Sequence, residues 1–70
     1  MIERSEAVEI ARTAAVDLGY AIEELHVATV VTRGQTWEVL LGDDRYARGG
    51  GVLVHVDMIT GHVTDTTPQL

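Results

Sequence analysis

Residues 49–63 read GGGVLVHVDMITGHV. From Gly51 onward the stretch alternates. Val52, Val54, Val56 and Met58 fall on one side of an extended chain, and Leu53, His55 and Asp57 on the other, because successive strand side chains point opposite ways. Ile59-Thr60-Gly61 then breaks the pattern, and β-branched residues resume at Val63. The spacing predicts a strand over 51–58, a turn, and a short last strand over 62–65. The three glycines supply unusual backbone angles or a bulge where the chain enters the sheet. A phosphate-binding loop would need its glycines to open a helix, usually with a Lys nearby. Here they run into a strand, and the chain has no Lys.

Working outward from this strand, LHVATVVTR (25–33) and TWEVLL (36–41) read as two more strands. Gly34-Gln35 between them suits a two-residue hairpin of primed type, with Gly at the first central position. Nearer the N-terminus, Ala7, Val8, Ala11, Ala14, Ala15 and Leu18 recur at helical spacing, with Glu6, Glu9, Thr13 and Asp17 opposite. This predicts a helix over 5–18, with Ser5 as N-cap and Gly19 in the left-handed position after its end. Residues 42–50, GDDRYARGG, read as the one long loop, and residues 66–70, which hold the only Pro, as a frayed tail.

The expected fold is α+β: one N-terminal helix packed on a three- to four-stranded antiparallel meander, as a single domain over residues 1–70. Its core is expected to contain Ala7, Ala11, Ala14, Leu18, Trp37, Val39, Leu41, Val52, Val54 and Val56. In the first strand, Val27/Val31 and Ala28/Val30 compete for the inside. One helix shields one face of a sheet. Leu40 and Leu53, with one of the first-strand valines, then point to the other face, where a sheet in water should be polar. Apolar residues there suggest a cover: a second subunit, a partner, or the curl of the sheet itself.

Composition narrows the function classes. The chain has 11 acidic and 5 basic residues and a formal charge of -6, and every basic residue is Arg. Without a basic cluster it is a poor nucleic-acid binder, and anionic membrane surfaces repel it. A basic protein partner suits it better. No cysteine is present, so disulfides and thiolate zinc sites are excluded. Chains below roughly 70–80 residues often draw stability from a staple or a second subunit, which leaves association as the route here. The first six residues are charged and lack the apolar core of a signal peptide, so a cytoplasmic setting is expected.

Few residues offer catalysis. Ser5 is the only serine, no base is paired with a nucleophile, and a helix on a small sheet leaves no obvious substrate pocket. No enzyme activity, cofactor or metal is expected. His55 and Asp57 share a strand face, the one pairing that could hold a metal or a small ligand. The 42–50 loop sets Asp43 and Asp44 beside Tyr46 and two arginines, and Tyr and Arg are favoured interface anchors. The candidate partner-binding residues are Glu38, Leu40, Asp43, Asp44, Tyr46, Leu53 and His55.

The pattern resembles PepSY-type domains, in which an Ala-rich helix (here AVEIARTAAVDLG) precedes strands ending in a V-D-x-x-T-G-x-V hairpin (here Val56, Asp57, Thr60, Gly61 and Val63). It is also similar to small immunity proteins of bacterial polymorphic-toxin systems, which pair an A-x-x-I-A helix with a Trp-containing strand (here TWEVLL) and a GG-strand-D-x-x-T-G hairpin. The likeness covers residues 5–65. Its D-x-x-T-G core also solves a hairpin turn, since Asp57 can bond the turn's backbone and Gly61 can take positive φ. Both resemblances imply a cystatin-like curled sheet clasping a helix and noncatalytic binding to another protein. For immunity proteins the partner is a basic toxin or enzyme held by occlusion. PepSY domains are usually extracytoplasmic and regulate proteases. The alternative from a different class is a self-associating module, a homodimer through the open sheet face.

Overall fold

The structure, a computed structural model, describes residues 1–44 and 50–69. Helix α1 (Arg4–Asp17) leads through a single 3-10 turn (Ile22–Glu24) into four strands: β1 (Leu25–Arg33), β2 (Thr36–Asp43), β3 (Gly51–Asp57) and β4 (Val63–Gln69). They form one antiparallel sheet in the order β1-β2-β3-β4. This is the expected α+β arrangement of a helix on a meander.

The helix buries Ala7, Ala11 and Ala15. Small side chains let it approach the sheet closely, against Val39 and Leu41 of β2 and Val52, Val54 and Val56 of β3, all fully buried. Leu25 completes this core, while Ala14 and Trp37 pack at its margin. Leu18 is not core: it is 56% exposed, at the C-cap position of the helix. Ser5 is not the N-cap either. Glu3 holds that place in extended conformation, with no side-chain bond to the free N–H groups. The C-terminal end follows the Schellman pattern. Gly19 takes φ +102, its N–H bonds the Val16 carbonyl at 2.9 Å, and the Tyr20 N–H bonds the Ala15 carbonyl at 3.1 Å.

Both hairpins form where expected. Gly34-Gln35 link the paired residues Arg33 and Thr36, with φ +62 at Gly34 alone. At the β3–β4 turn, Asp57 Oδ1 accepts the N–H groups of Ile59 (2.8 Å) and Thr60 (2.9 Å), and Gly61 takes φ +77. The contest inside β1 is resolved by a bulge. Val27 pairs with Leu41 and Val30 with Val39, so the extra residue Ala28 lets both valines face the helix and turns Val31 outward.

Two strands run further than the sequence suggests. β2 continues through Gly42 to Asp43. β4 reaches Gln69 rather than fraying after Asp65. Pro68 is tolerated there because β4 is an edge strand, where one row of N–H groups has no ladder partner.

Of the three glycines, Gly49 lies outside the described residues, and the other two are scaffold. Gly50 and Gly51 have φ +108 and +123. A Cβ on Gly51 would overlap the Leu41 carbonyl oxygen. The Gly51 carbonyl accepts the Tyr20 hydroxyl at 3.0 Å, which ties the helix exit to the start of β3. At the opposite end the N-terminal segment is stitched in. Ile2 N–H bonds the Met58 carbonyl at 2.8 Å, and Trp37 Nε1 donates to the Ile2 carbonyl at 3.3 Å.

Candidate functional site

The outer sheet face, opposite α1, follows from the register. Leu40 pairs with Leu53 and Glu38 with His55 across β2 and β3. Outer neighbours continue both rows, Thr29 and Thr67 beside the leucines, Val31 and Asp65 beside Glu38 and His55. Directly opposed side chains have Cβ atoms about 4.5–5.5 Å apart, so the rows form one contiguous patch. Four of the seven residues singled out from sequence therefore meet at the centre of one face: Glu38, Leu40, Leu53 and His55.

Leu40, Leu53 and His55 are half-buried, shielded by their neighbours in the sheet, and Val31 is 47% exposed. The Glu38 side chain is only 15% exposed and accepts the Arg33 Nε–H at 2.8 Å, while Arg33 itself stands 78% exposed. His55 Nε2 is buried and, among the described residues, has no hydrogen-bond partner. In the register it lies between Glu38 and Asp65. Among the described residues, the patch thus carries two leucines, a valine and the carboxylates of Glu38 and Asp65, the first of them paired with Arg33 at the border.

The acidic loop departs from expectation. Asp43 is 2% exposed and cannot present its carboxylate to a partner. It continues the inward set Val39, Leu41, Asp43 on β2, an alternation hidden by the loop-like composition after Gly42. Asp44 is exposed, but its Oδ1 lies 2.5 Å from His26 Nδ1. The His26 ring covers Gly42, where a Cβ would collide with it, so this pair borders the outer face rather than reaching its centre. Tyr46 lies outside the described residues.

Asp57 Oδ1 is engaged by the β3–β4 turn. The backbone N–H groups of Thr60 and Ile59 hold the Asp57 pKa below the ordinary 3.8. Among the described residues no three His, Cys, Asp or Glu side chains gather as a metal site.

Sequence reasoning left open which first-strand valine faces outward and did not single out Asp65. Val31 faces outward only because of the bulge at Ala28, and Asp65 faces outward only because the bulge at Thr64 makes it, rather than Thr64, the partner of His55. No helix among the described residues is long and apolar enough to cross a membrane. No known family model matches the chain, and no curated protein or solved structure matches it.

Proposed function

We propose that the chain is a small noncatalytic protein-binding module, of the toxin-immunity or inhibitor kind, that occludes a functional surface of a basic protein with its outer sheet face. The observation that carries this reading is the Leu40–Leu53 pair, partly exposed on the side of the sheet opposite α1 and flanked by Glu38 and Asp65. Apolar centre and acidic row together fit a partner patch of apolar side chains ringed by Lys or Arg, with steering by the formal charge of -6. The resemblance to immunity proteins supports the same reading. The PepSY-type alternative, a protease regulator, would use the same face.

A homodimer through this face is the second reading. Arg33 gives the patch both signs of charge, which favours a self-complementary two-fold contact around the leucines. One pair of measurements separates the two. Sedimentation of the purified chain reads self-association. Affinity capture from the native host, with wild-type and Leu53→Glu baits, reads a partner. A monomer that captures one basic protein, lost with Leu53→Glu, supports occlusion. Equal recovery by both baits overturns it, and a dimer made monomeric by Leu53→Glu favours the second reading.

A further inference from the structure

A helix is about 10–12 Å across and neighbouring strands lie about 4.8 Å apart, so one helix covers roughly two strands of four. α1 centres its buried alanines on β2 and β3. The helix-side face of β4 is only partly covered, and Val63 is 39% exposed. Between α1 and β4 runs an open groove of about 330 Å³, with Ile10, Ala14 and Val63 as its apolar floor and Glu9, Thr13 and Asp17 along its helical rim.

The rim is charged on one side only. Glu9 and Asp17 are both exposed, and neither has an ion-pair partner among the described residues. Asp17 is the last residue of α1, where a carboxylate opposes the helix dipole and no basic residue offsets it. Helix stability is therefore not what this side chain serves.

We infer that this groove is a second docking site, which takes a basic segment of another protein: one or two apolar side chains seated over Ile10, Ala14 and Val63, flanked by Lys or Arg against Glu9 and Asp17. Charge selects the occupant. A second copy of this chain, at -6, brings net repulsion to an acidic rim, and an acidic segment fares worse. Strand addition along the whole β4 edge is blunted by Pro68 and by the bulge at Thr64, so side chains entering the groove, rather than a long ladder, hold the segment. The site lies on the opposite side of the sheet from Leu40 and Leu53 and does not depend on their role.

The test is a titration of the full chain, followed by amide chemical shifts, with three short peptides. One is an amphipathic peptide of Lys, Ala and Leu, the second has Ser for Leu, and the third has Glu for Lys. The Lys/Leu peptide is expected to shift amides of residues 9–17 and 63 and to bind about tenfold or more tightly than either control. Glu9→Lys/Asp17→Lys should cost about tenfold in affinity, with the fold intact because both positions are solvent-facing, while Leu53→Glu should leave binding unchanged. Equal binding of the Ser peptide, shifts scattered over the surface or centred on the outer face, or no saturable binding would overturn the site. So would self-association of the chain abolished by Glu9→Lys/Asp17→Lys, since the occupant would then be a second copy.

Discussion

Leu40 on β2 and Leu53 on β3 face each other directly across the outer side of the sheet, where α1 does not reach. A leucine pair in that position stabilises the sheet locally, but it leaves apolar surface for something else to cover. Replacing either leucine by Thr should cost about 1–2 kcal/mol, less than a comparable change in the core, because both leucines keep part of their surface in water. Thermal unfolding checks this. A loss as large as that of a core valine would mean that the outer face is built for stability rather than docking.

Gly51 and Gly34 both have positive φ but differ in surroundings. A Cβ on Gly51 runs into the Leu41 carbonyl, whereas Gly34 has nothing within 4 Å. Gly51→Ala combines backbone strain with a clash in the ladder and should cost about 2–4 kcal/mol. Gly34→Ala carries the left-handed penalty alone, about 1–2 kcal/mol. At about 4–8 °C per kcal/mol for a domain of this size, melting curves of the two variants should separate clearly. Coincident curves would mean that the close approach at Gly51 relaxes without cost.

These two glycines also mark what the sequence made legible. Gly34-Gln35 and Asp57 to Gly61 are local turn chemistry, and the structure forms both as read. The helix was legible from its alanine spacing and Gly19. What escaped depends on long-range pairing. The bulge at Ala28 is a mismatch between two strands and leaves no mark in LHVATVVTR alone. The second half of β4 looks like a tail because TTPQ is polar, yet an edge strand facing solvent can be polar and still paired. Asp43 was misread because an inward carboxylate breaks the apolar pattern that identifies a strand. For the site, alternation alone placed Glu38, Leu40, Leu53 and His55 on one face. Their assembly into a patch required the register.

The Tyr20 hydroxyl links the helix exit to the strained entry of β3 through the Gly51 carbonyl. Tyr20→Phe keeps the ring packing and removes only this bond. A loss of about 1 kcal/mol is expected. Hydrogen exchange should report it most strongly at Gly51 and Val52, near the released carbonyl. Uniform loss of protection across the sheet would instead mean that the bond matters to the whole fold.

Asp57 should tie stability to pH. Its carboxylate accepts the Thr60 and Ile59 N–H groups, so its pKa is lower in the folded chain than in the unfolded one. A depressed carboxyl contributes stability that is fully present above the unfolded value, near 3.8, and is lost as pH falls through the folded value. Asp57→Asn removes this linkage. Its unfolding midpoint should decline less steeply than wild type below about pH 4, and the difference between the two should be constant near neutrality. Parallel acid profiles would show that Asp57 contributes no such linkage.

His55 carries the sharpest conflict between stability and use. Its Nε2 is buried without a partner among the described residues, between Glu38 and Asp65. An unsatisfied buried polar atom costs about 1–3 kcal/mol, and an apolar side chain of similar size avoids that cost. His55→Leu should therefore raise stability by about 1 kcal/mol, or about 4–8 °C in melting temperature. His55→Gln keeps a polar tip and should bring no such gain. If His55 contributes to the docking face, the more stable Leu variant should also capture its partner less well, the trade expected where a strained group serves binding. A Leu variant less stable than wild type would mean that the imidazole nitrogen is satisfied in solution. A stabilised variant with unchanged capture would remove His55 from the interface while leaving the leucine pair in it.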